Sequence, residues 1–69
     1  MTDQEKQVWS LALAELYVMR RNIWFSAIDR GNHPAKQIAA ARVDQLNEVI
    51  DTLPEDIKGL TKREIKRIG

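Results

Sequence analysis

Val8–Ile28, VWSLALAELYVMRRNIWFSAI, holds both tryptophans, the only tyrosine and phenylalanine, and one of two methionines in a 69-residue chain. It contains neither Gly nor Pro, so nothing in it interrupts a helix. Placed on a helix at about 100° per residue, it carries two apolar stripes. The broad stripe holds Val8, Trp9, Ala12, Leu13, Leu16, Met19, Ile23, Trp24 and Ala27. The narrow stripe holds Leu11, Val18 and Phe25, with Ala14 beside it. A polar seam of Glu15, Asn22 and Asp29 separates them on one side. A helix apolar on two sides must be covered twice, and one neighbouring helix covers only one side.

Upstream, Thr2-Asp3-Gln4-Glu5 fits a reciprocal capping box and predicts a helix over about residues 3–30. Gly31 ends it by supplying a left-handed residue. Asn32 or His33 then caps a second helix, with Pro34 in its first turn. This helix is predicted over about 34–52. Ala39, Val43, Leu46, Ile50 and Leu53 alternate by four and three along it, and Ile38 and Val49 widen the seam. Its opposite face, with Gln37, Asp44, Asn47, Glu48 and Asp51, is polar and acidic. So short a connection makes the two helices antiparallel, a helical hairpin. Trp24 then lies level with Ala39 and Ala40, and Leu13 and Leu16 near Ile50 and Leu46. Arg20 and Arg42 fall at one level inside the apolar stripes. They either extend outward to water or meet acids of another chain, such as Asp44 or Glu48.

Thr52-Leu53-Pro54-Glu55 closes the second helix and opens a turn of helix through Ile57 that Gly59 breaks. In Leu60-Thr61-Lys62-Arg63-Glu64-Ile65, Thr61 reads as a cap, Glu64 as its partner and Leu60 as a staple to Ile65. A short, basic C-terminal helix is therefore expected over about 61–68, with Ile65 and Ile68 on one face. Two turns of helix are unstable alone in water, so it must dock.

These elements make residues 1–69 a single all-α domain: an antiparallel hairpin plus a short third helix. A chain this small builds a marginal core. Without cysteine it has neither disulfides nor cysteine-bound zinc, which leaves oligomerisation as the remaining staple. The expected assembly is a homodimeric four-helix arrangement formed through the first helix.

With 43% hydrophobic and 30% charged residues, the composition is that of a globular chain. MTDQEKQ lacks the basic opening of a signal peptide, and Glu15, Arg20, Arg21 and Asn22 make the long apolar run too polar for a membrane. The absence of Cys fits a reducing compartment, so the expected location is cytoplasmic. Net charge is +1, with a neutral first helix, a mildly acidic middle and a mildly basic tail.

Catalytic chemistry is scarce: one histidine, His33, beside a turn proline, no cysteine, and Ser10 and Ser26 on the long helix. Nothing places a serine beside His33 for a nucleophilic triad, and no second His or Cys completes a metal site. Glu15, Asn22 and Asp29, seven residues apart, read as a solvated seam. No enzyme, cofactor or metal site is expected. Two surfaces point to partners. Leu11, Val18 and Phe25 form a candidate protein interface. Lys58, Lys62, Arg63, Lys66 and Arg67 form a candidate phosphate-contacting surface, with Glu55, Asp56 and Glu64 interleaved. The favoured reading is a small accessory or regulatory protein that binds a protein partner through an exposed apolar helix face. The alternative is a small dimeric nucleic-acid-binding regulator using residues 58–67.

Overall fold

The computed structural model describes residues 1–69 as three helices and no strands: α1 (Asp3–Asp29), α2 (His33–Asp51) and α3 (Glu55–Ile68). Local chemistry sets the ends of the first two. The Thr2 hydroxyl accepts from the Glu5 amide at 3.1 Å while the Glu5 carboxylate accepts from the Thr2 amide at 3.3 Å, the expected reciprocal cap. At the other end of α1, Gly31 adopts φ +66°. Its amide donates to the Ile28 carbonyl at 3.0 Å, and the Asn32 amide donates to the Ala27 carbonyl at 3.1 Å. That is a Schellman closure, and it turns the chain within three residues. The Asn32 side chain accepts from the Ala35 amide at 3.2 Å and starts α2.

The third element differs from its expectation. A single 14-residue helix, Glu55–Ile68, replaces the broken turn and the short 61–68 segment. Gly59 is helical and exposed, so it forfeits backbone stability without leaving a gap in packing. Thr61 is not a cap. It lies mid-helix, fully buried, and its hydroxyl donates to the Ile57 carbonyl one turn back at 2.8 Å. Ile57, Leu60, Thr61, Glu64, Ile65 and Ile68 form a half-to-fully buried stripe that spans Gly59, and docking of that stripe outweighs the glycine's propensity.

α1 is the centre of the molecule. It packs against both α2 and α3, which meet each other only marginally. The α1–α2 contact is the expected hairpin, with Ala39, Val43, Leu46 and Ile50 buried. α3 runs alongside α1 in the same direction. Lys6 pairs with Asp56 at 2.6 Å near its start, the Ser10 hydroxyl donates to the Ile57 carbonyl at 3.4 Å, and Gly69 lies against Val18 and Arg21. Small side chains allow this approach, since Ser10, Ala14 and Thr61 are buried to 1% exposure or less. The Cα trace spans 43 × 21 × 13 Å, and only nine of its residues are buried. No helix is long and apolar enough to cross a membrane.

Candidate functional site: an apolar face on the first two helices

The second cover that α1 requires comes from α3, and it falls on the narrow stripe. Leu11 and Val18 are half-buried; Leu11 shares a groove with Leu60, and Val18 lies beside Gly69. Phe25, beyond the end of α3, remains 47% exposed. Its ring stacks on Trp24 with centroids 5.5 Å apart. The Arg21 guanidinium lies 6.0 Å from the Phe25 ring and 5.8 Å from that of Tyr17, one turn away on either side. The three positions therefore do not form one continuous open surface.

Most of the exposed apolar surface lies elsewhere, on the outer half of the broad stripe. Trp9, Ala12, Leu16, Met19 and Ile23 recur by three and four along α1, and all are exposed, Trp9 at 57%. Beside them Ile38 and Val49 of α2 are exposed at 60% and 45%, on the shoulder of the helix that also carries Arg42 and Gln45. The two stripes flank one groove and form a face with two cations and no carboxylate along its middle. The sequence marks Trp9, Ala12, Leu16, Met19, Ile23, Ile38 and Val49 as apolar. It does not reveal that α2 sits to one side of the broad stripe, using Leu13, Trp24 and Ala27, rather than squarely on it.

Near the hairpin turn this face opens into a pocket of about 230 Å³ lined by Arg20, Ile23, Ala35, Ile38, Ala39 and Arg42. Its floor is aliphatic and its rim cationic. Arg20 Nη1 donates to the Arg42 backbone carbonyl at 3.1 Å, which holds one guanidinium across the helix pair. Arg20 thus lies against α2, with the exposed Arg42 beside it at the same level.

The basic residues of α3 are largely engaged. Lys58 pairs with Glu55 at 4.0 Å, Lys62 with Asp51 of α2 at 3.7 Å, and Arg67 with Glu64 at 2.6 Å. The Arg67 contact holds the Glu64 carboxyl below its ordinary range and Arg67 above its own. Arg63 and Lys66 are exposed. Lys62 and Lys66 also border a shallow cleft between α2 and α3 with Tyr17, Arg21, Asn47, Ile50 and Ile65. Arg21 joins them only because α3 runs alongside α1 here, and its Nε is buried without a hydrogen-bond partner.

His33 is the first residue of α2, exposed, in the hairpin turn with Gly31, Asn32 and Lys36. Glu15, Asn22 and Asp29 are exposed along α1. No group of three or more His, Cys, Asp or Glu side chains is placed to hold a metal ion. No family model, curated protein or solved structure matches the chain.

Proposed function

We propose that this chain is a small non-enzymatic interaction protein, and that it works by covering the apolar face of α1 and α2 with another polypeptide. The carrying observation is the continuous run of Trp9, Leu16, Met19 and Ile23 beside Ile38 and Val49, all exposed in a chain with nine buried residues. A lone exposed leucine means little, whereas a contiguous stripe of large apolar side chains across two helices marks a contact surface. Globular domains are built from at least two packed layers, and this face supplies one side of the missing contact. A homodimer pairing two such helix pairs is the four-helix arrangement that fits it. In that arrangement Phe25, at the turn end beyond α3 and 47% exposed, stays available to a further protein.

Sedimentation velocity over a concentration series tests this reading. The wild-type chain is expected at twice its 8.0 kDa mass, and Leu16→Glu, in the middle of the face, as a folded monomer. A wild type that stays monomeric and shows no affinity for a hydrophobic dye at this face overturns the proposal.

The alternative, nucleic-acid binding through Lys58, Lys62, Arg63, Lys66 and Arg67, draws on the outward placement of Arg63 and Lys66. The ion pairs at Lys58, Lys62 and Arg67 weigh against it, because each phosphate contact would first have to displace a carboxylate.

A further inference from the structure

We infer that the face on α1 and α2 is self-complementary, and that Trp9 of one chain seats in the Arg20–Ile23–Ala35–Ile38–Ala39–Arg42 pocket of a second, inverted copy. This rests on the reading of that face as a protein contact, and it names both the occupant and the geometry.

The argument begins with spacing. Trp9, Leu16 and Ile23 lie seven residues apart on one line of α1. Two turns of helix, about 10 Å, therefore separate Leu16 from the protruding indole on one side and from the pocket on the other. A two-fold axis crossing the face at Leu16, perpendicular to the helices, sets α1 antiparallel on its counterpart. Leu16 then meets Leu16, and each Trp9 lies over the other copy's Ile23. Two-fold contacts require this relation: whatever residue one copy inserts, the same copy must receive.

Charge selects between the two ways of pairing these faces. With the axis parallel to the helices, levels are preserved and Arg20 and Arg42 of one copy lie against those of the other. Like charges brought together in this way are destabilising. The inverted arrangement sends the arginines to the opposite end, where the face carries Glu5 and no cation. There they border the incoming indole, whose faces attract guanidinium groups. An aliphatic floor with a cationic rim suits a tryptophan better than an aliphatic side chain.

A chain with so few buried residues also needs a cover that is always present, and its own second copy is.

Association of Trp9→Ala and Ile38→Glu, separately and mixed, provides the test. Trp9 and Ile38 are both exposed in the single chain, so each variant should keep its helical circular dichroism. Each alone should raise the dimer dissociation constant by about 100-fold or more, since a tryptophan seated in a pocket is worth at least about one decade at each of two contacts and Ile38→Glu puts a charge into that pocket. Mixed together, they restore one intact Trp9–pocket contact out of two and should associate more tightly than either variant alone. A wild type monomeric up to millimolar concentration overturns self-docking. A dimer abolished by Leu16→Glu but indifferent to Trp9→Ala overturns this geometry while the face itself stands. Absence of any gain on mixing overturns the inverted, reciprocal arrangement.

Discussion

Gly59 shows how much one residue's surroundings alter its reading. Glycine inside a helix costs about 1 kcal/mol relative to alanine, which makes it a reasonable place to end one. Here it lies on the outer side of α3 with no atom within 4 Å of where a Cβ would be, and its φ is ordinary. Gly59→Ala should therefore stabilise the chain by about 0.5–1 kcal/mol and raise the Tm by several degrees, measured by thermal circular dichroism. Gly31→Ala should do the reverse, losing about 1 kcal/mol, because the φ of +66° that closes α1 strains any side chain. Both residues stand at a predicted helix end. Only Gly31 is one.

Among the elements, α3 depends most on its docking. Its N-terminal cap, Pro54, has no side-chain hydrogen bond, and Asp56 serves in its place. One Asp56 oxygen accepts from the Ile57 amide at 2.9 Å, and the other pairs with Lys6 of α1 at 2.6 Å. The hydrogen bond from Lys6, followed by that from the Ile57 amide, lowers the Asp56 pKa, and the same contact raises that of Lys6. Asp56 binds its proton less readily folded than unfolded. Its contribution is thus complete above the ordinary carboxylate range and is lost as the pH falls below that range through the lowered value. For Lys6 the sign is opposite: the contribution is complete below the ordinary lysine range and is lost as the pH rises through the raised value. Protection of the α3 amides against hydrogen exchange, corrected for the intrinsic rate at each pH, should accordingly fall at acid pH before that of α2 does. Asp56→Asn should remove most of that difference. A uniform loss of protection in both helices of the wild type would show that the Lys6–Asp56 pair does not anchor α3.

At the scale of the whole molecule, α1 divides its circumference between α2, α3 and an open face. The dimer proposal and its rival make opposite demands on salt. An assembly held by Trp9, Leu16, Met19 and Ile23 should keep or gain affinity as salt rises, since its driving force is apolar burial. Phosphate binding by Arg63, Lys66 and Lys62 would instead weaken with a logarithmic slope of about −0.9 per contact, near −5 for a dimer using three per chain. Fluorescence anisotropy with a labelled duplex across a salt series distinguishes them. The expected outcome is no tight binding at physiological ionic strength, and no change on Lys62, Arg63, Lys66 and Arg67→Ala. Micromolar, steeply salt-dependent binding that those substitutions abolish would favour the nucleic-acid reading.

Much that depends on neighbours along the chain was legible in the sequence. The capping box at Thr2 and Glu5, the glycine stop at Gly31, the Asn32 cap and the Ala39–Val43–Leu46–Ile50 seam each involve groups within a few residues of one another. At these positions nothing tertiary competes with the local chemistry, whereas the Thr61–Glu64 pattern, equally local, is overridden by the docking of α3. The two stripes of α1 were equally legible, along with the need to cover both. Which partner covers which stripe was not, because it depends on the angle at which α2 approaches. Alternation by three and four specifies a face only to within about the width of a helix ridge. The tertiary structure moved α2 to one edge of the broad stripe, laid α3 over Leu11 and Val18, and joined α3 across Gly59. It thereby left Trp9, Leu16 and Ile23 in the open and opened a pocket beside Ile23. Small residues settled the outcome: Ser10, Ala14 and Thr61 let two backbones approach closely, and the burial gained there exceeds what one glycine costs a helix.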